Sequence, residues 1–512
     1  MIPHWIRQVF SIAVLLLLCR SMATAQEVNK QSTKDVQAQP SSTEATTLPE
    51  MVVTEQPAHS YTVKETTTAT KTETPIMETP ATIQIVPQSV MHDQQAYRLQ
   101  DVMKNVPGVQ TYHAYGGDHE NFVVRGFLQS TVNYRNGIRI PMTKFDLANV
   151  EQVEVLKGAS AMLYGFSDAG GIISIITKEP SSTPAYSLEQ RFGSYDFYRT
   201  EASATGPVSQ QYGLNFRADL SYLNTGSFRE FMGNERIFFA PSLSWQPAVN
   251  TRFSLTYEHF DEDNAYDYGI PAFGDQLAQV PRSRSFVGRD LRNSTINDLI
   301  DFRIDHRFTD HINLNAGTVA SHYDKDWEAI YTGAVNEDPA SPTKRLGDTT
   351  RFYWFSPEKA TTLTAWINGI FDFETYGVKH KVLLGGEYYF SDFGYTVAND
   401  TVDTINIFDA KVPTIPDAEI NRYRNLPPDY NISTDTSSQA IYLQDQMTFW
   451  KKVHLVGGFR HDWVKRDQNL SWWDDPATVE IEGKDSRSDT YLSPRVGLLY
   501  QPVPWLSVFG SF

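Results

Sequence analysis

The chain holds a single cysteine, Cys19, so disulfides and thiolate metal clusters are excluded. No long apolar run follows residue 18 and the mean hydropathy is −0.40, which leaves no helical membrane span. Basic residues are outnumbered. Against 61 Asp and Glu stand 44 Lys and Arg, a formal charge of −17 that argues against a nucleic-acid partner. Enzyme motifs are missing as well: the 12 histidines are scattered, and neither His-Glu-x-x-His nor Gly-x-Ser-x-Gly occurs. The expectation is no catalytic residue, no resident metal and no cofactor.

Aromatic residues, by contrast, make up 13% of the chain. A chain that is polar on average yet rich in aromatics fits a transmembrane β-barrel, in which only alternate residues face lipid. A soluble secreted β-protein shares that composition. Secretion itself is written at the start. Arg7 precedes an apolar run over residues 9–18, and Ala23-Thr24-Ala25 offers small residues for cleavage, so residues 1–25 read as a signal peptide. The run is too short for a membrane anchor, which needs ~20 apolar residues.

Residues 26–72 are rich in Thr, Glu, Gln, Ser and Pro and cannot bury enough surface to offset the entropy of ordering. They read as a flexible segment containing one β-prone island, Leu48-Pro49-Glu50-Met51-Val52-Val53-Thr54-Glu55. Further on, Leu99, Val102, Met103 and Val106 recur at helical spacing, which predicts a helix over residues 88–106 ending at Pro107-Gly108-Val109. Short strands are expected over residues 82–86, 122–127 and 138–140.

From about residue 183 the period changes to two. Phe253, Leu255 and Tyr257 alternate with Ser254, Thr256 and Glu258. Val382, Leu384, Tyr388 and Phe390 alternate with Lys381 and Glu387, and Val453, Leu455, Phe459 and Trp463 with His454, Arg460 and Asp462. Each pattern reads as a strand with one lipid face and one wet, charged face. A soluble sandwich alternates likewise, but short turns (residues 246–250) alternating with long loops (262–292 and 394–436) favour the barrel.

The stretch Glu151-Gln152-Val153-Glu154-Val155-Leu156-Lys157-Gly158, continuing through Tyr164-Gly165 and Gly170-Gly171 to Thr177, resembles the plug domain of TonB-dependent outer-membrane receptors. The Glu73-Thr74-Pro75 lead, the Pro107-Gly108-Val109 stop, Arg125-Gly126-Phe127 and Tyr134-Arg135-Asn136-Gly137 resemble further landmarks of that family. Gly269-Ile270-Pro271-Ala272 with Pro281-Arg282-Ser283-Arg284 is similar to its ferric-siderophore receptors in particular. The resemblance implies a mainly β fold: an antiparallel transmembrane β-barrel with an N-terminal α+β plug in its lumen. It implies a flexible periplasmic segment over 26–72, a plug over 73–182 and a partial barrel over 183–512. Roughly thirteen strands follow residue 183, against 22 in the plugged transporters, so the chain is expected to lack the last strands.

By the same resemblance, residues 48–54 are the TonB box, which couples to TonB of the TonB-ExbB-ExbD complex by adding a strand to the partner's sheet. The implied function is uptake of an extracellular ferric siderophore to the periplasm by a monomer seated in outer-membrane lipid and lipopolysaccharide. Iron arrives already chelated. Tyr112, His113 and Tyr115 at the plug apex, with Tyr266 and Tyr268 in a barrel loop, are the candidate ligand-binding residues, suited to an uncharged or weakly charged chelate; loop packing is the alternative reading. Arg125, Glu151, Glu154 and Lys157 are the charged plug-core group, read either as a latch between plug and barrel or as static pairing. Two other functions remain open: a haem or other nutrient receptor, for which His113 and His119 would serve, and a truncated surface protein that transports nothing.

Overall fold

The computed structural model describes residues 60–129, 133–140, 144–158, 160–165, 167–472 and 481–512; the 48–55 island lies outside them. The first elements are the paired strands β1 (Glu65–Thr66) and β2 (Thr74–Pro75), then β3 (Thr82–Pro87), α1 (Gln88–Asp93) and α2 (Leu99–Met103). Next come β4 (Val109–Tyr112), β5 (Asn121–Val124), β6 (Phe127–Gln129), β7 (Asn133–Arg135), β8 (Ile138–Ile140), β9 (Val150–Lys157), α3 (Ala161–Tyr164) and β10 (Gly171–Thr177). Five of these strands form a mixed sheet in the order β3-β9-β10-β7-β8, and β4-β5-β6 form a second. Val153, Val155, Ile173 and Ile175 bury one face of the larger sheet against Leu99, Val102, Met103 and Val106. At about 1.5–3 kcal/mol per buried side chain, that apolar face holds the small domain together.

Two expectations are corrected here. The 88–106 helix is two short helices, because Gln95 takes a left-handed φ of 53° and breaks the run between them. The 122–127 strand is a hairpin: Val124 pairs with Phe127 across Arg125 (φ 50°) and Gly126 (φ 87°). Asn136 and Gly137 make the equivalent turn between β7 and β8, where Asn-Gly suits two successive positive φ angles.

The second layer comprises β11 (Ala185–Gly193), β12 (Phe197–Ser209), β13 (Leu214–Gly226), β14 (Gly233–Ala248), β15 (Thr251–Asn264), the small hairpin β16 (Ala272–Phe273) and β17 (Gln276–Leu277), β18 (Asn293–Thr309), β19 (Ile312–Thr332) and β20 (Asp348–Thr375). It continues with β21 (Val378–Asn406), α4 (Asp417–Arg424), β22 (Tyr430–Phe449), β23 (Val453–Trp472), β24 (Ile481–Val503) and β25 (Leu506–Ser511). All but the small hairpin join one antiparallel sheet of 13 strands in sequence order. The alternation sorts its faces as the sequence implies. Leu255, Leu384, Phe459 and Trp463 are exposed on the outside, while Glu258, Arg460 and Asp462 are buried on the inside against the plug.

Strand lengths depart from expectation on one side only. The turn after β14 stays short, but β21 runs on to Asn406 and β22 starts at Tyr430, inside the expected 394–436 loop. A strand needs only ~10 residues to cross a bilayer, so β20 and β21, with 28 and 29, stand well clear of it.

Candidate apical binding site

β4 leads Tyr112 to the top of the plug, where Tyr115 (φ 46°), Gly116 (φ 77°) and Gly117 (φ 102°) turn the chain through the left-handed region. Glycine is required at the last two for space as well as φ. A Cβ on Gly116 would stand 2.8 Å from Cβ of Asp267, and one on Gly117 2.5 Å from the Arg98 guanidinium. That close approach lets the Asp267 amide donate to the Tyr115 carbonyl at 3.1 Å, pinning the 265–268 loop onto the plug apex.

All five expected ligand-binding residues meet here. His113 stacks on Tyr115 at 5.4 Å between ring centroids, Tyr115 on Tyr266 at 4.6 Å and on Tyr268 at 6.1 Å, and Tyr112 packs edge-on to His113 at 4.2 Å. Tyr266 is buried, whereas Tyr112 and Tyr268 remain 41% and 51% exposed and keep the site open. Burial, with Tyr115 alongside, pushes the Tyr266 hydroxyl pKa upward, so it stays a protonated donor. The array extends further than the sequence reading took it. Trp327 packs on Tyr266 (5.7 Å) and His119 (5.2 Å), Trp354 on Trp327 (6.0 Å), Tyr331 on Tyr268 (5.3 Å) and Phe352 on Tyr331 (5.6 Å). The overlooked signal was aromatic residues in the polar register of β19 and β20, where an inward-facing ring has no lipid to meet.

Beneath the rings lies a buried charge network. Asp118 receives Lys325 at 2.8 Å and Asn293 at 3.0 Å, with Lys144 at 3.9 Å and His119 Nδ1 at 2.8 Å. Burial works to raise the Asp118 pKa, but the two lysines and His119 together hold it well below the usual carboxylate range. Lys144 also pairs with Glu262 of β15. Neighbouring Glu120 differs. One of its oxygens accepts the Leu99 amide at 2.8 Å, the other has no hydrogen-bond partner among the described residues, and burial lifts its pKa to about 7 against the pull of Arg236, Arg98 and Lys144.

The expected plug-core group does not come together as one latch. Glu154 is buried but turns to the segment that leads into the plug, accepting from Thr66 Oγ1 at 2.6 Å and the Thr68 amide at 3.3 Å. Lys157 donates to the Pro107 carbonyl at 2.7 Å, and Arg125 and Glu151 are exposed. Burial, aided by the like charge of Arg125, lowers the Lys157 pKa. Plug and barrel are joined by other residues. Arg135 forks onto Glu258 (2.5 Å) and Asp301 (2.8 Å), Asp146 takes Arg199 (2.7 Å) and Arg236 (3.3 Å), and Lys71 meets Glu387 (3.0 Å). Residues 66–74 are tied to the wall along the same line: Gln444 donates to the Thr70 carbonyl at 3.0 Å and Arg495 to that of Ala69 at 2.7 Å.

Comparison with known proteins agrees with this architecture. Residues 75–172 match the model of the TonB-dependent Receptor Plug Domain and residues 244–512 that of the TonB dependent receptor-like beta-barrel. The metal-pseudopaline receptor CntO of Pseudomonas aeruginosa is 27% identical over 466 residues, and the ferrioxamine receptor of Yersinia enterocolitica 26% over 480. Both alignments cover 89% of this chain, which spans 63% and 64% of those relatives' lengths. The ferric-catecholate import receptor Fiu of Escherichia coli K12 in its open form shares the fold at a TM-score of 0.76 and 24% identity, over 85% of this chain and 70% of that one. With a plug-family segment, a plug-type sheet and a barrel-family sheet around it, this chain belongs to the TonB-dependent receptors.

Proposed function

We propose that the chain binds an extracellular ferric siderophore at the apical aromatic site and serves its uptake into the periplasm, driven by TonB through residues 48–54. The observation that carries this reading is the joining of plug apex and barrel loop into one aromatic surface, with Tyr112 and Tyr268 open above and a charge network below. Stacked tyrosines offer flat apolar faces and hydroxyl donors, which suit a chelate whose iron is already saturated by its own oxygens. Such a site supplies binding and no bond chemistry; the relatives are named receptors and a transporter. The ligand lies against both plug and barrel, so its arrival can be felt by the plug–barrel ion pairs around Arg135, Asp146 and Lys71.

The test is equilibrium binding to the protein in outer-membrane vesicles, using ferric hydroxamate and catecholate chelates with haem as the comparator. Saturable binding of a ferric chelate that falls at least tenfold in Tyr115→Ala supports the reading. Binding of haem alone, or chelate binding indifferent to Tyr115→Ala and Tyr266→Ala, overturns it.

A further inference from the structure

Lys325 on β19 reaches Asp118 in the plug, so its side of the strand faces the lumen, and every second residue from it shares that face. Glu358 is the residue directly opposite Lys325 on β20, and Tyr395 is opposite Glu358 on β21. Glu358 therefore stands on the inner wall, with Trp327 diagonal to it on one side and Phe393 on the other. Phe393 and Tyr395 lie 5.7 Å apart between ring centroids, and Tyr395 meets Tyr430 at 6.2 Å. Trp327 is also a member of the apical array, so this patch continues the binding site down the wall.

The carboxylate in this aromatic setting has no cation of its own: the charge that acts on it is that of Lys325, opposite it on β19 and bonded to Asp118. The cations around the site are spent elsewhere: Lys325 on Asp118 (2.8 Å), Lys144 on Glu262, Arg424 on Glu328 (2.6 Å) and Arg229 on Asp267 (2.6 Å). Among the described residues Glu358 has no hydrogen bond and no ion pair, and it is only partly exposed. A half-buried carboxylate with aromatic residues as its neighbours on the wall is complementary to one kind of group. A protonated amine gains from the charge and from the rings together, and an anion loses to both.

We propose that Glu358, with Trp327, Phe393 and Tyr395, forms a cation subsite that receives a protonated amine carried by the incoming chelate. The inference rests on the siderophore reading above and sharpens it to a ligand class: chelates with a free ammonium group are favoured over their neutral or anionic counterparts. Among the described residues Glu358 makes no hydrogen bond or ion pair with the plug or with the Asp118 network, so its loss should leave the bonded contacts of the site in place.

The experiment compares a linear ferric trihydroxamate bearing a free amine with its N-acetylated form, on the parent protein and on Glu358→Gln in outer-membrane vesicles. The parent should bind the amine form at least about tenfold more tightly, the scale of one charge-assisted contact in a partly dry site. Glu358→Gln should bring the amine form down to the affinity of the acetylated one, whose own binding stays unchanged and shows that the variant is folded. Equal binding of the two forms by the parent, or an equal loss of both in the variant, overturns the cation subsite and leaves siderophore binding standing. Failure of the parent to bind either form or any other ferric chelate overturns the siderophore reading and the subsite with it.

Discussion

Replacing Arg135 with methionine should loosen the plug in its barrel, and the structure sets the size of the effect. The guanidinium is 2% exposed and divides itself between Glu258 and Asp301 on two neighbouring strands. Asp301 would keep a partner, because Arg303 already grips it at 2.9 Å. Among the described residues Glu258 would be left with Asn149, a neutral donor. Stripping one partner from a buried pair costs about 3–5 kcal/mol, and with one of the two carboxylates still paired the lower figure applies. At 1.4 kcal/mol per factor of ten, about 3 kcal/mol speeds local opening on the order of a hundredfold. Hydrogen exchange of the β8 and β10 amides, in the detergent-extracted protein, reads that opening against β19 and β20 as internal standards. The double variant Arg135→Met with Glu258→Leu removes the stranded charge along with its partner and should recover most of the loss. Exchange in Arg135→Met within about threefold of the parent, or a double variant as labile as the single one, would refute the argument.

Glu120→Gln addresses pH. The folded-state pKa is raised to about 7 from 4.5, so this group's stability is full below about pH 4.5 and is lost as pH rises through 7. The parent should gain protection at the Leu99 amide, by up to about 3 kcal/mol, when pH falls from 8 to 5. Glutamine, which can still accept the Leu99 N–H, should remove that gain; an unchanged slope after correction for intrinsic exchange speaks against the assignment. Lys71→Met leaves Glu387 and Asp462 to share Arg460, so residues 66–74 should lose protection by roughly tenfold or more while the rest of the plug is unaffected. Unchanged exchange at Thr68 and Thr70 in that variant would show that the ion pair does not hold the segment.

Much of this was legible in the sequence, for identifiable reasons. Strict alternation in the strands around Leu255, Leu384 and Phe459 reports which face meets lipid, since a slip of one residue would invert every side chain. The same alternation set Glu258, Glu387, Arg460 and Asp462 on the wet face, and all four now engage in ion pairs. The plug side of the plug–barrel ion pairs was not legible. Arg135 stood out only as part of a turn motif, and Asp118, Asp146 and Lys71 carry no periodic signal, because pairing between residues so far apart in the chain depends on how the plug sits in the barrel. Arg125, Glu151 and Lys157 looked like core charges from their place beside a buried strand. The positive φ of Arg125 turns it outward, and Glu151 is the extra residue of a bulge, since Thr177 pairs with Val150 and Ile176 with Gln152. The aromatic apex was legible through the family resemblance, as the aromatic residues that follow Pro107-Gly108-Val109, while Trp327 and Trp354 lie in the inward register of long strands, where they carry no motif.

The most direct test of the account is surface binding and cellular uptake of one labelled ferric siderophore, measured side by side in the parent and in Val53→Pro. Proline removes the backbone donor that residues 48–54 would need to add a strand to TonB and leaves the apical residues unaltered in sequence. Binding should stay unchanged while uptake drops to that of cells lacking TonB. Uptake that continues undiminished in Val53→Pro would contradict the coupling on which the account depends.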